Sequence, residues 1–294
     1  MATLQSFNYA DNSTLAHFKQ WAMSISTALA TFGWTKTSDS GQVNWTTISS
    51  VPSNPSGYVY EIWQSADALS STLPMFLRLQ YGWCPIYSPA AVALQIFVGT
   101  GSDGAGNLIG NSGSLYNTYG ITVTSGGASN TYECDFSGST NRFQMTMFRG
   151  WTYPAFFSIE RAHDMNGNDL GTSFTYITQG LLYGPNTVVS QQQTYYPAAG
   201  GWLPVETNWV SVQSSASKSP LVNAPIITPV WPLIGKLDNP LLGAMVIKNG
   251  DFIDGMIFQA TMYNTAHIYM AVPSVYSSGV VGRGAGNAIA MRYE

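Results

Sequence analysis

The sequence predicts a mainly β fold, built as antiparallel β-sandwich or jelly-roll-like lobes with one N-terminal amphipathic helix. Three observations carry this expectation. Short segments rich in β-branched and aromatic residues recur along the chain, separated by Gly, Asn, Asp, Ser and Pro. Segments such as "MFLRLQYGW" alternate with the period of a half-buried strand. One stretch near the start has helical spacing, and many strands with one long helix suit a sandwich or jelly roll.

The helix comes first. Leu15, Phe18, Ala22, Ile25, Leu29 and Phe32 recur three or four residues apart, which puts all six on one face. Asn12 or Ser13 is placed to cap its first turn, and Gly33 to supply the left-handed residue after its last. The stripe is shorter than three heptads, so it reads as a helix packed on a sheet in preference to a coiled-coil seam.

Beyond Gly33 the expected strands are "QVNWTTI", "YVYEIWQ", "MFLRLQYGW", "AVALQIFV", "YECDFSG", "RFQMTMFRGW", "AFFSIERAHD" and "SFTYITQGLLYG", then "AMVIKNGD", "MIFQATMY" and "HIYMAVPSV". In the third, Phe76, Arg78 and Gln80 alternate with Leu77, Leu79 and Tyr81. Between about 185 and 232 the composition shifts, with Pro185, Pro197, Pro204, Pro220, Pro225, Pro229 and Pro232. Proline at this density breaks central strands. The expected organisation is 1–185 as the helix plus a β-sandwich lobe, 186–232 as a Pro-rich extended connection, and 233–294 as a smaller β-rich lobe. The alternatives are one continuous domain, or an arm laid over a neighbouring subunit.

Composition bounds the function. Charged residues are 9% of the 294, against roughly 25% in a typical soluble domain. Apolar residues are 45%, so the chain can build a core and does not read as disordered. A charge-poor surface keeps a free monomer poorly soluble, so copies of the chain or other partners are expected to cover it. A formal net charge of −4 speaks against a nucleic-acid binder, which needs a basic stripe. No run approaches the ~18–20 apolar residues of a membrane-spanning helix. "MATLQSFNYADNS" lacks a basic n-region and an apolar h-region, so no signal peptide is expected, and the sequons at Asn12 and Asn44 read as chance. Cys84 and Cys134 form no C-x-x-C pair, which excludes a zinc ribbon or redox dithiol; whether they form a disulfide is not legible.

Several motifs invite a chemical reading. "FVGTGSDGAGNLIG" places Gly99, Gly101 and Gly104 as G-x-G-x-x-G. A dinucleotide site needs a helix directly after that loop and an acid about twenty residues on. Here Gly106 and two asparagines follow, and Asp103-Gly104 reads as a hairpin turn, with no cofactor. "HDMNGNDLG" spaces Asp164, Asn166 and Asn168 as calcium ligands could stand. Asp169 occupies the place of the required glycine and Thr175 that of the bidentate Glu, so Asn166-Gly167 reads first as a turn and only weakly as a metal loop. His17, His163 and His267 show no zinc spacing, and no G-x-S-x-G elbow supports a triad. Asp251 and Asp254, with Glu61, Asp67, Glu133, Asp135, Glu160 and Asp164, supply acids enough for a glycosidase pair, but no spacing selects one. Trp63, Trp83, Trp151, Trp202 and Trp231 suit sugar stacking, a core or an interface.

The order of features resembles a group of virion structural proteins of tailed bacteriophages, the tail or minor structural proteins. The resemblance rests on Gly33-Trp34 at a helix end, on an aromatic strand ending in Asp67, and on the series Pro74, Phe76, Arg78, Tyr81 and Gly82. The glycine segment from Gly99 to Gly106 and the strand–turn–strand "SIERAHDMNGNDLG" extend it. It covers roughly residues 15–175 and implies no catalytic residue. The expected function is a non-enzymatic, multi-copy component of the tail, baseplate or neck, located in the virion. Its partners would be copies of itself and other virion proteins, with no nucleic acid or membrane, and cyclic symmetry of three or six copies. Alternatives are a capsid decoration protein or host-binding fibre module meeting a host surface glycan, and a carbohydrate-binding or hydrolysing β-sandwich.

Overall fold

In the computed structural model the described residues are 2–8, 15–52, 57–84, 91–112, 118–120, 131–149, 155–164, 166–181, 188–204, 227–229, 241–248, 252–253, 255–272 and 287–293. Helix α1 spans Leu15–Thr31. Its expected stripe is correct: Phe18, Ala22, Ile25 and Leu29 are buried, joined by Trp21 and Ala28. Gly33 has φ +86°, and the Gly33 and Trp34 amides donate to the Ala30 and Leu29 carbonyls, closing the helix. Trp34 then turns inward, and its indole donates to the Ser139 carbonyl at 2.9 Å. The two residues expected to cap the N-terminus lie outside the described residues.

The strands are β1 (Ala2–Asn8), β2 (Thr35–Lys36), β3 (Val59–Gln64), β4 (Phe76–Cys84), β5 (Ala91–Gly99), β6 (Gly101–Ser102), β7 (Leu108–Ile109), β8 (Thr118–Gly120), β9 (Thr131–Ser139) and β10 (Arg142–Arg149). They continue with β11 (Ala155–His163), β12 (Asp169–Leu181), β13 (Val188–Tyr196), β14 (Gly201–Pro204), β15 (Ile227–Pro229), β16 (Ala244–Lys248), β17 (Ile257–Met262), β18 (Thr265–Val272) and β19 (Asn287–Arg292). A large sheet runs β1-β9-β10-β11-β12-β13-β14, a second runs β2-β3-β4-β5-β8, and a third runs β15-β16-β19-β18-β17. β6 and β7 form a separate ribbon. The pairings are antiparallel, and from β9 to β14 each strand lies beside the next in sequence, which is the order of a meander and of a sandwich-like fold.

One core joins the helix to the first two sheets. Phe18, Trp21 and Ile25 pack with Leu77, Leu79 and Tyr81 of β4 and with Phe136, Phe143, Phe157 and Tyr176 of the large sheet. Each such burial stabilises by roughly 1.5–3 kcal/mol. The alternation read in β4 holds from Leu77 onward, where Leu77, Leu79 and Tyr81 are fully buried and Arg78 and Gln80 half-exposed; Phe76, expected to share the face of Arg78, is buried as well. On its other face the large sheet carries Phe156 and Ile177, which pack against Leu241, Ala244, Met270 and Met291 of the C-terminal segment. Between them lies a buried polar layer, with Gln144 donating to Ser158 at 3.0 Å and Thr146 to Asp135 at 2.8 Å.

Two expectations need correction. "QVNWTTI" is not a strand: the Asn44 side chain accepts from the Thr46 amide and hydroxyl, and this local turn competes with a ladder. The stretch expected to be a Pro-rich connection opens with β13 and β14 of the large sheet. Proline is tolerated there because Pro197 starts a short 3-10 turn between the strands and Pro204 ends an edge strand. Further along the same stretch, β15 pairs with β16 of the C-terminal sheet.

Candidate functional site

The glycine-rich segment is a hairpin, β5 leading into β6 and β7. It closes through five residues, wider than the Asp103-Gly104 turn read from sequence. The Asp103 carboxylate accepts from the Ala105 amide at 2.8 Å, the Asn107 amide at 2.9 Å and the Asn107 side chain at 2.8 Å. The backbone closes from the Asp103 amide to the Asn107 carbonyl. Those bonds hold the Asp103 carboxyl below its ordinary range. Asp39 clasps the hairpin from outside, accepting from Ser102 at 2.9 Å and the Gly106 amide at 3.3 Å. Gly106, at φ +100°, lies so close to the Tyr60 hydroxyl that a Cβ there would overlap it. Gly99 backs onto the Ile109 carbonyl, Gly101 onto the Ile109 side chain, and Gly104 faces open space.

The loop after β11 repeats this construction. The Asp164 carboxylate accepts from the Asn166 amide at 2.8 Å, the Asn168 amide at 2.9 Å and the Asn168 side chain at 3.0 Å, with Gly167 at φ +81°. Both loops share the pattern D-x-x-G-N, at 103–107 and 164–168. The residues noted as weak calcium ligands thus meet one another, the Asp164 oxygens being engaged by the loop's own N–H groups. Among the described residues no three His, Cys, Asp or Glu side chains cluster as a metal site.

Of the other candidate acids, Glu61, Asp67 and Asp135 stand apart from one another, each held by its own partners. Glu61 is buried and accepts from Lys36 at 2.7 Å, Trp45 at 3.1 Å, Tyr81 at 3.3 Å and Ser26. Asp67 forms a two-pronged pair with the fully buried Arg161, Nε and Nη2 each at 2.9 Å. Asp135 belongs to the polar layer. Asp251, Asp254, Trp151 and Trp231 lie outside the described residues, as do the side chains of Glu133, Trp83 and Cys84; the Cys134 thiol is buried. Trp63 is core, and Trp202 caps Tyr176 and Tyr195 while donating to the Gly110 carbonyl at 2.7 Å.

A polar cavity of about 480 Å³ opens where the end of the large sheet meets the C-terminal sheet. Ser139, Asn141 and Arg142 line it from the β9–β10 turn, and His163, Asn166, Gly167 and Asp169 from the β11–β12 loop. Leu242, Tyr263, Thr265, His267 and Arg292 line it from the C-terminal segment. His163 and His267, unrelated by sequence spacing, share this wall and are both buried. Asp169 lies 3.2 Å from His163 and also accepts from Asn141; burial opposes its ionisation, yet these bonds hold its carboxyl below its ordinary range. Behind the wall Glu160 is fully buried. Burial pushes its carboxyl up, against the pull of His163, Arg142 and Arg292. Gly243 lies over it, where a Cβ would come 2.6 Å from the Glu160 Oε2.

Sequence reasoning set His163, Asn166, Gly167 and Asp169 in one loop but left His267 apart from it, and passed over Arg142, Tyr263 and Arg292. The available signal was the pair Tyr263-Asn264 between two strand-like runs, a two-residue hairpin loop without its usual glycine. No protein-family profile matches the chain, and no curated protein sequence matches it significantly.

Proposed function

We propose that this chain is a non-enzymatic structural protein of a tailed-bacteriophage virion, a multi-copy component of the tail, baseplate or neck that binds copies of itself and other virion proteins. The observation that carries the reading is where the exposed apolar surface lies. Of seven exposed large hydrophobic side chains among the described residues, five fall in the C-terminal segment: Ile253, Met256, Ile257, Ile268 and Tyr293. Ile257 pairs with Met270, two residues from Ile268, and the Tyr293 amide donates to the Ile268 carbonyl, so three of the five step diagonally across adjoining strands. β17 is the outer strand of that sheet. An apolar strip beside the outer strand suits a permanent contact between subunits.

The residues behind the phage resemblance support the same reading. Gly33-Trp34 closes the helix, Asp67 anchors Arg161, Arg78 lies 4.4 Å over the Tyr60 ring, and the glycines shape a hairpin. All hold the scaffold. The polar cavity favours a second reading, a decoration or host-binding module of the same particle.

The test is sedimentation of the purified chain over a wide concentration range, beside an Ile257→Asp/Ile268→Lys variant. The wild type is expected to self-associate. The variant should be shifted towards monomer with its midpoint of thermal unfolding within about 3 °C, because exposed substitutions change stability little. A wild type that stays monomeric at the highest concentration refutes the assembly reading.

A further inference from the structure

We propose that copies of this chain join head to tail through two strand edges, β17 of one copy pairing with β1 of the next. The inference deepens the assembly reading above and rests on it: it names the edges that meet and the order in which they join.

A strand at a sheet edge offers backbone N–H and C=O groups to any chain that can pair with them, and proteins blunt such edges with short strands, Pro, Lys or bulges. Among the described residues, the large sheet ends on one side in β14, four residues closing on Pro204. The second sheet ends in β2, two residues that include Lys36, and in β8, three residues. The C-terminal sheet ends on one side in β15, three residues closing on Pro229. The two remaining outer strands are unlike these. β1 has seven residues and β17 six, and neither contains Pro, Asp, Glu, Lys or Arg. Each runs along its neighbour without a shift, from Ala2 opposite Ser137 to Asn8 opposite Thr131, and from Ile257 opposite Met270 to Met262 opposite Thr265.

The occupant of each edge is the other edge, on a second copy. β1 closes the large sheet and β17 the C-terminal sheet, so one contact makes the two a continuous sheet across the junction. Their lengths match to within a residue. Charge fits as well: residues 2–8 and 255–272 contain no Asp, Glu, Lys or Arg, so the strands meet without burying a carboxylate, ammonium or guanidinium. The exposed Ile257 and Ile268 lie in and beside β17, where an incoming copy covers them. A two-fold contact of β17 with itself would use one edge and leave β1 unblunted. Head-to-tail joining uses both edges of every copy, and it is the kind of contact that closes into a ring.

The experiment is sedimentation of the full chain, wild type beside Gln259→Lys and Ser6→Lys, alone and mixed. Gln259 is exposed in the middle of β17, and Ser6 stands opposite Glu133 in the register of β1, so a lysine suits either place. Each variant alone is expected to associate about tenfold or more weakly, because the joined edge would bury an unpaired ammonium. An equimolar mixture of the two is expected to give dimers and nothing larger, since each keeps the edge that the other lacks. Excess Gln259→Lys is expected to cap wild type as dimers in the same way, and this arm decides if Ser6→Lys does not fold. Ser6→Lys assembling like wild type, or Gln259→Lys failing to cap it, points to β17 pairing with itself and overturns the head-to-tail order. Both variants assembling like wild type overturns the edge contact and leaves the assembly reading standing; a monomeric wild type refutes both.

Discussion

Arg161 shows how a single residue ties the molecule together. Its guanidinium is fully buried, takes Asp67 at two points and donates to the Leu73 carbonyl at 2.7 Å. It thereby joins β11 of the large sheet to the segment between β3 and β4. Removing one partner of such a pair strands a buried charge. Asp67→Ala is expected to cost about 3–5 kcal/mol in denaturant unfolding, and adding Arg161→Met should recover much of that loss. If the single variant unfolds like wild type, the pair is not holding the two sheets. Asp67 was legible as the end of an aromatic strand, and Arg161 only as a member of the expected strand "AFFSIERAHD". Their pairing was not, because 94 residues separate them and charge alone does not choose a partner.

At the scale of the element, the two D-x-x-G-N loops make one device used twice. The Asp side chain supplies the acceptors that a tight turn leaves its amides without, and the glycine takes the left-handed position. The prediction concerns rank order among the glycines of the first loop. Gly104→Ala meets only backbone strain at φ +76°, about 1–2 kcal/mol. Gly106→Ala adds an overlap with the Tyr60 hydroxyl, so about 2–4 kcal/mol is expected. Tyr60→Phe in the same chain should relieve part of the second cost and none of the first. Equal losses for the two glycines in thermal unfolding would contradict the clasp. Here the turn was legible because Asp, Gly and Asn act locally. The clasp by Asp39 and Tyr60 was not, since both come from distant chain. "QVNWTTI" misled for a related reason: its β-branched and aromatic residues suit a strand, but Asn44 binds its own neighbours first.

For the whole molecule, the seam between the large sheet and the C-terminal sheet is expected to add a pH response opposite in sign to that of the lowered carboxyls. Glu160 lies in that seam with its carboxyl raised above the ordinary 4.5 by burial, the nearby cations notwithstanding. A raised carboxyl contributes stability that is complete below its unfolded pKa and lost as pH rises through its folded pKa. Glu160→Gln should therefore match wild type near pH 4 and become the more stable of the two as pH rises towards 8, read as the difference between their unfolding midpoints. The lowered carboxyls of Asp39, Asp103, Asp164 and Asp169 act with the opposite sign, in acid. They act on both proteins, so the difference isolates Glu160. A gap that narrows with rising pH would refute the role assigned to burial.

By itself the sequence determined what short-range periodicity and local chemistry control: a mainly β chain, one helix with a definite buried face, and hairpins where Asp, Asn and Gly cluster. A helix face and a strand face are written into spacings of three, four and two residues. Tertiary structure alone decided which sheet lies on which, that β13 and β14 complete the large sheet, and that two histidines and two arginines from distant segments line one cavity. Those outcomes depend on shape and partner across tens to hundreds of residues, where apolar burial is non-directional and leaves the choice to packing.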